Sequence, residues 1–499
     1  MDIHRLRLFL GGPWIRRWGW LLALPFALLL GLAIGTGNKL PLMLFFLPPI
    51  LMFMAYFYAN PKVGMYFVLV ISFMQAGLTR YYPFAPYGLG VDVFLLLPIL
   101  FTILGKGREL DASDLHQAVF YVILIWFGYC VIEIANPLSR SVVAWFYAMR
   151  GLALYLVLNF ICGVLIFNKP KDMDMMITIW TIFSIIGTIW GIKQLFIGVS
   201  PTEQRWLDAG AANTHVLFGK LRVFSYYSDA AQFGASQAMA GIVFGIFSIA
   251  EWENKRRRNY LIFSSLMAFY GMLISGSRGP LVIPALAGFM YLLLSKRVKI
   301  LILGCSIGFF MFAVLKWTTI GQTNYQINRM RTAMNPSEDP SFMVRKNREK
   351  ILENYMHNKP IGAGIGMAGS WGKRFAPGSF LAELGTDGHY TRVWAECGFI
   401  GLYVHVFMIV FIAVKGFMVV WNLKESNTRV KLIAMYGGYC GVAVASYTNG
   451  LITQIPTAPL TYFGIAFIFL GPRWERDEEK RQKALEEEEK LKKKTIPID

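Results

Sequence analysis

Apolar runs of roughly 17 to 25 residues, separated by short polar breaks, recur from Trp18 to Leu470. A helix rising about 1.5 Å per residue needs ~20 such residues to cross a ~30 Å hydrocarbon layer. Read window by window, the pattern predicts about fourteen membrane spans, near 18–35, 40–58, 63–78, 91–105, 117–135, 143–167, 175–197, 228–250, 260–275, 279–295, 300–316, 397–421, 431–448 and 455–471. The predicted fold class is an all-α polytopic membrane protein. It divides into N-terminal transmembrane helices (1–200), a transmembrane core (201–471) and a charged helical tail (472–499).

Two connections are too long to be plain turns: Gly198 to Tyr227, and about 80 residues from Trp317 to Glu396. Long ordered loops more often carry function than short ones. Within the second, Val344 to His357 has the spacing of a short amphipathic helix. The tail places Glu486 four residues before Lys490, Glu488 before Lys492 and Glu489 before Lys493, which supports a solvated helix.

Composition agrees with the pattern: 16% of residues are charged, against ~25% in soluble domains, which excludes a soluble globular protein. The net charge of +19 raises the possibility of nucleic-acid binding. Its placement answers against that, because the tail from Arg473 to Asp499 carries nine basic and nine acidic residues and contributes nothing to the excess. The cations lie in the loops. With Arg5, Arg7, Arg16 and Arg17 inside, alternating spans put roughly nineteen loop cations on the cytoplasmic side and seven outside, as the positive-inside rule requires. Both termini are then expected in the cytoplasm, with membrane lipids as partners, no nucleic acid, and the 317–396 loop outside. The five cysteines are scattered singly, without metal or disulfide spacing. The basic N-terminus merges into the first run without a cleavage signature, so it reads as an uncleaved first helix.

Three literal motifs carry little. GIGMAG, with Gly364, Gly366 and Gly369, spells a dinucleotide fingerprint but lacks the preceding buried strand. Asp172 and Asp174 in KDMDMM spell a metal-holding D-x-D, yet sit beside two lysines in a very short connection and read as a solvated loop. The basic run at 255–258 lies between two spans and reads as a topology signal.

The informative residues are arginines on the outward side. Arg278 closes the run YGMLISGSRGP, and Arg222, in KLRVFSYYSDAAQFG, stands just before a span with Asp229 as its bland ion-pair partner. Arg345 opens the amphipathic helix of the large loop, followed by PIGAGIG and then by TDGHYTRVWAECGFIGL, which holds Asp387, His389, Arg392 and Glu396. Several guanidiniums at one membrane boundary suit a diphosphate, because each offers a planar fork of donors and keeps its charge. The few carboxylates and the histidine suit general-base transfer to a hydroxyl.

From about Leu221 to Leu402, these four ordered pieces together resemble the O-antigen ligase and O-antigen polymerase superfamily of bacterial surface-polysaccharide assembly. Residues 1–200 match it only as hydrophobic spans. The resemblance implies a GT-C-like glycosyltransferase of the bacterial inner membrane, using no cofactor, metal or nucleotide sugar. Such an enzyme moves a glycan, with inversion, from undecaprenyl diphosphate to a hydroxyl of a glycan or lipid acceptor on the periplasmic face. It further implies that Arg222 and Arg278 hold the diphosphate with help from Arg345. This sequence departs from the family where His-Asn-x-Tyr usually precedes Glu-x-Gly. Counting back three residues from Tyr390 or nine from Glu396 lands on Asp387, with His389 two residues later. Either Asp387 takes the family histidine's place as base, or His389 reaches it from a shifted loop. The alternative class is a transporter or flippase of lipid-linked saccharide, which keeps its ionisable groups near midplane, often in repeated halves. Here the charges gather at one boundary and the sequence shows no internal repeat.

Overall fold

The structure, a computed structural model, describes residues 39–84, 87–106, 113–217, 219–319 and 340–494, with isolated positions in 25–35 and 328–331. Most of the first predicted span, together with its flanking arginines, Arg108 and Thr495, lies outside the described residues. The protein is all-α, with one two-residue strand pair, Val216–Leu217 against Lys220–Leu221, among the described residues. Among the described residues, seven helices are long and apolar enough to cross a membrane: Lys62–Tyr81, Tyr87–Gly105, Ala118–Ala135, Val142–Leu165, Pro170–Phe196, Ala230–Ala250 and His389–Asn422. Shorter apolar helices occupy Leu44–Ala59, Gly279–Leu294 and Leu301–Val314. Helices Lys255–Ile274 and Asn427–Ala445 fill two further windows. The last window and the charged tail differ from expectation, because they form one helix, Thr457–Lys494, that continues through Pro472. The strong helix formers after the proline carry the helix on despite one lost backbone donor.

The centre of the bundle is Ala230–Ala250, and its composition explains that position. Its alanines and glycines let neighbours approach closely: a Cβ on Gly241 would lie 2.9 Å from the Phe269 ring. Packing of small residues, more than hydrophobicity, joins helices in an apolar medium. Polar side chains add specific links. Ser184 Oγ donates to Gln237 Oε1 at 2.7 Å, and Gln237 Nε2 returns a bond to the Ser184 carbonyl at 3.1 Å. Gln232 Nε2 donates to Thr457 Oγ1 at 2.9 Å.

One end of the bundle is tied by ion pairs. Lys62 meets Asp172 at 2.6 Å, Asp174 accepts from Arg257 and Lys431 at 2.9 Å each, and Lys431 also meets Glu251 at 2.6 Å. Arg473 pairs with Asp114, and Lys424 with Glu479. This corrects the reading of Asp172 and Asp174 as a solvated loop. Both lie inside helix Pro170–Phe196, Asp172 is buried, and each holds a cation from another helix. The adjacent lysines in sequence suggested solvation, but the cations that matter come from positions far away in the chain.

Candidate functional site

At the other end, the segment from His215 to Asp229 is pinned before it enters the central helix. Arg80 donates to the carbonyls of Ser225 at 3.1 Å and Tyr227 at 2.6 Å, and its guanidinium lies 4.2 Å from the Trp206 ring centre. Gln194 brackets Ser225, accepting from its N–H at 2.7 Å and donating to its carbonyl at 3.0 Å, which holds that residue at φ 54°. Glu203 anchors the neighbouring short helix, accepting from Ser200 N at 2.6 Å, Gln194 Nε2 at 2.7 Å and Trp190 Nε1 at 2.9 Å. Burial alone would push its carboxyl up, but these donors and Lys193 outweigh burial and hold it below the usual range. Burial pushes His215 below the usual histidine range.

That scaffold presents Arg222. Its Nη1 donates to the Thr214 carbonyl at 3.1 Å and its Nη2 to Ser277 Oγ at 2.9 Å, so the guanidinium lies beside the residue preceding Arg278. Ser277 Oγ in turn donates to the Ala230 carbonyl at 3.1 Å. Asp229, the expected partner of Arg222, is used as the cap of the central helix, accepting from Ala231 N and Gln232 N at 2.9 Å each. Arg278 stands at the break between helix Lys255–Ile274 and the next, at the N-cap of a short 3₁₀ turn.

A connection between the last two helices, residues 446–456, joins this arginine pair to the His389 segment. A Cβ on Gly279, next to Arg278, would collide with the Thr448 hydroxyl. Two residues earlier, the Ser446 carbonyl accepts from His389 N at 3.0 Å. Tyr390 fixes the same contact, its hydroxyl donating to the Ala443 carbonyl at 2.7 Å. Ser446 follows the last turn of helix Asn427–Ala445, whose 19 residues place it about 28 Å from the ion-paired end.

Helix His389–Asn422 is two helices joined at Gly398, which has φ 68° and ψ −172°, a region only glycine enters readily. A side chain there would strike the Pro360 carbonyl, and one on Gly362 would strike that of Glu396. PIGAGIG is therefore a site of close backbone approach: Ala363 N and Gly364 N donate to the carbonyls of Ala395 and Glu396 at 3.1 and 2.9 Å. The reversal has a consequence for His389. In a straight helix His405 would lie ~24 Å away, but the two Nε2 atoms are 2.8 Å apart, both rings buried and the His405 ring packed on Trp126.

Asp387 is the more open of the two base candidates. Its side chain is 53% exposed and accepts from Arg348 Nη1 at 3.0 Å. Arg348 belongs to helix Pro340–Met356, and from the same helix Glu349 accepts from Thr391 Oγ1 at 3.2 Å. Arg345 lies one turn earlier, on the face that carries Glu349. Among the described residues no hydrogen bond or ion pair joins it to Arg222, Arg278, Asp387 or His389. Glu396 is buried and accepts from Arg392 Nε at 3.2 Å and Ala368 N at 3.1 Å, which makes it a brace for the large loop.

Sequence reasoning missed four residues. Arg348 was passed over in favour of Arg345, His405 lay inside an apolar run, and Arg150 sits with Asp92 at 2.7 Å where two predicted spans meet. A lone charge inside an apolar run is costly in hydrocarbon and was signal enough for Arg150 and Asp92. Chemically, the end that holds all these groups offers forked donors, an accessible carboxylate and an imidazole pair. The sequence matches the profile of no known protein family, and comparison with characterised proteins gives no significant match.

Proposed function

We propose that the protein is an inverting glycosyltransferase that moves a glycan from undecaprenyl diphosphate to an acceptor hydroxyl at the periplasmic face of a bacterial inner membrane. In this reading about fourteen spans place both termini in the cytoplasm, and the ion-paired end faces inward. The observation that carries the proposal is a junction: Arg222 bonded to Ser277 beside Arg278, and both linked through residues 446–448 to the segment of Asp387 and His389. Arg222 and Arg278 would hold the diphosphate, with Arg345 and Arg348 beside it. Asp387 is the base. Its carboxylate is accessible and oriented by Arg348, whereas the His389 Nε2 is already engaged by His405. Asp387 takes the proton of the acceptor hydroxyl as the oxygen attacks the anomeric carbon. The bond to the diphosphate breaks, and the guanidiniums compensate the charge that develops there.

The test uses purified protein in detergent with extracted lipid-linked oligosaccharide and candidate acceptors, with the transferred product sized on a gel. Asp387→Asn abolishes transfer and His389→Gln leaves a measurable rate. The reverse pattern moves the base to His389. No product from wild-type protein with any acceptor, while lipid-linked glycan instead crosses reconstituted vesicles, overturns the transferase reading in favour of a flippase.

A further inference from the structure

Arg150 and Asp92 pair at 2.7 Å inside two candidate spans, Val142–Leu165 and Tyr87–Gly105. Burying such a pair is expensive, and it tends to be kept for a task. The way its bonds are distributed points to that task. Nη2 of Arg150 alone serves Asp92 Oδ2 at 2.7 Å, the Gly88 carbonyl at 2.8 Å and the Tyr155 hydroxyl at 2.9 Å. Its Nε is buried without a partner, and so is Asp92 Oδ1. Arg–carboxylate pairs are frequently bidentate, with two guanidinium nitrogens on two carboxylate oxygens. Here one donor and one acceptor, on adjacent groups, are left over. The Arg150 side chain is only 7% exposed, and a polar group left unmet at that depth costs more than one at a surface.

Aromatic rings lie beside the pair. The Arg150 guanidinium is 5.6 Å from the centre of the Tyr147 ring. Tyr147 stacks on Trp371 at 5.0 Å and on Phe375 at 5.6 Å, within 19° and 8° of parallel. Trp371 and Phe375 come from the large loop, outside the candidate spans. Arg150 also opens a π-helical turn, Arg150–Leu154, a distortion frequent at functional sites. Next to it, a Cβ on Gly151 would lie 3.6 Å from the Thr453 carbonyl, in the same connection that abuts Gly279 and holds His389.

We propose that Arg150, Asp92, Tyr147, Trp371 and Phe375 form a saccharide subsite that holds one sugar ring of the glycan. Adjacent sugar hydroxyls both donate and accept, which matches one orphan donor and one orphan acceptor side by side. The apolar face of a pyranose matches a flat aromatic group with a polar rim. Asp92 neutralises Arg150, so the pair suits uncharged hydroxyls better than a phosphate. The subsite rests on the glycosyltransferase reading but is separate from the diphosphate contacts at Arg222 and Arg278.

The experiment measures binding of two probes to the full-length protein in detergent. One is farnesyl diphosphate, which carries no sugar; the other is extracted lipid diphosphate-linked oligosaccharide. Trp371→Ala, on a surface helix, and Arg150→Lys, which keeps the charge beside Asp92, each weaken the glycan-bearing probe tenfold or more and leave farnesyl diphosphate unchanged. Equal weakening of both probes, or of neither, overturns the subsite. Arg278→Ala serves as the control for the parent reading: it weakens both probes. Loss of the Trp371 effect with a retained Arg278 effect removes the subsite alone. The opposite result removes the diphosphate assignment and leaves the subsite standing.

Discussion

The two ends of the helix bundle use the same side chains for different ends. At the Lys62 end, cations are matched to acids across helices: Asp174 alone takes Arg257 and Lys431, and Glu251 takes Lys431 a second time. At the Arg222 end, Arg80 spends its donors on the carbonyls of Ser225 and Tyr227, which are neutral. An acid partner fixes a cation's charge in place and cancels its field. Neutral acceptors orient a guanidinium and leave its charge to act on whatever anion arrives. The difference teaches that the cations of one membrane protein include some matched to acids across helices and some held on neutral acceptors.

The sharpest way to break this comparison is to remove one cation from each end. Arg278→Ala is expected to lower transfer by ~10²–10³, the usual effect of losing one preorganised contact to a developing charge. Arg278→Lys is expected to do little better, because an ammonium lacks the fork. Both are read as product formed per unit of folded protein. Full transfer by Arg278→Ala at normal protein level would place Arg278 among the clamps.

The converse substitution is at Asp174. Asp174→Ala leaves Arg257 and Lys431 to share Glu251 and is expected to cost ~1–2 kcal/mol, less than a fully buried pair would because Asp174 is 26% exposed. Thermal unfolding in detergent should show the loss, while transfer per folded molecule stays within about twofold. A large loss of transfer at unchanged stability would show that the two ends are coupled.

Much of this contrast was legible in the chain. The apolar windows gave the helices because a helix satisfies every backbone group of a ~20-residue apolar run within that one segment, and Arg222 and Arg278 stood out because they lie where loop cations are sparse. What could not be read was the partner of each charge. Asp172 lies beside Lys171 in sequence yet bonds Lys62, and Asp229 lies near Arg222 yet caps a helix. Nor could the chain announce that Gly398 folds a 34-residue helix back on itself and sets His389 against His405, since a single glycine in an apolar run is ordinary. Long-range pairing is a tertiary property, and local spacing carries no record of it.

The smallest expected effect asks whether the Arg222 end contains any charge that only clamps. Glu203 is the test, because its carboxylate is enclosed by donors from Ser200, Gln194 and Trp190 and holds the short helix on which Trp206 meets Arg80. Its folded-state pKa is depressed, so protonation is harder in the folded than in the unfolded protein. The stabilisation is therefore fully present above the unfolded carboxylate value of ~4.3 and is lost as pH falls from there through the lower folded value. Glu203→Gln keeps the shape, removes the charge and is expected to cost ~1 kcal/mol at pH 7. The gap in melting temperature between wild type and Glu203→Gln should shrink as the pH is taken from 6 toward 3, because the wild-type side chain also becomes neutral. A gap independent of pH would mean that Glu203 acts through packing alone, and transfer reduced at pH 7 without a change in melting temperature would make it part of the site it was thought only to support.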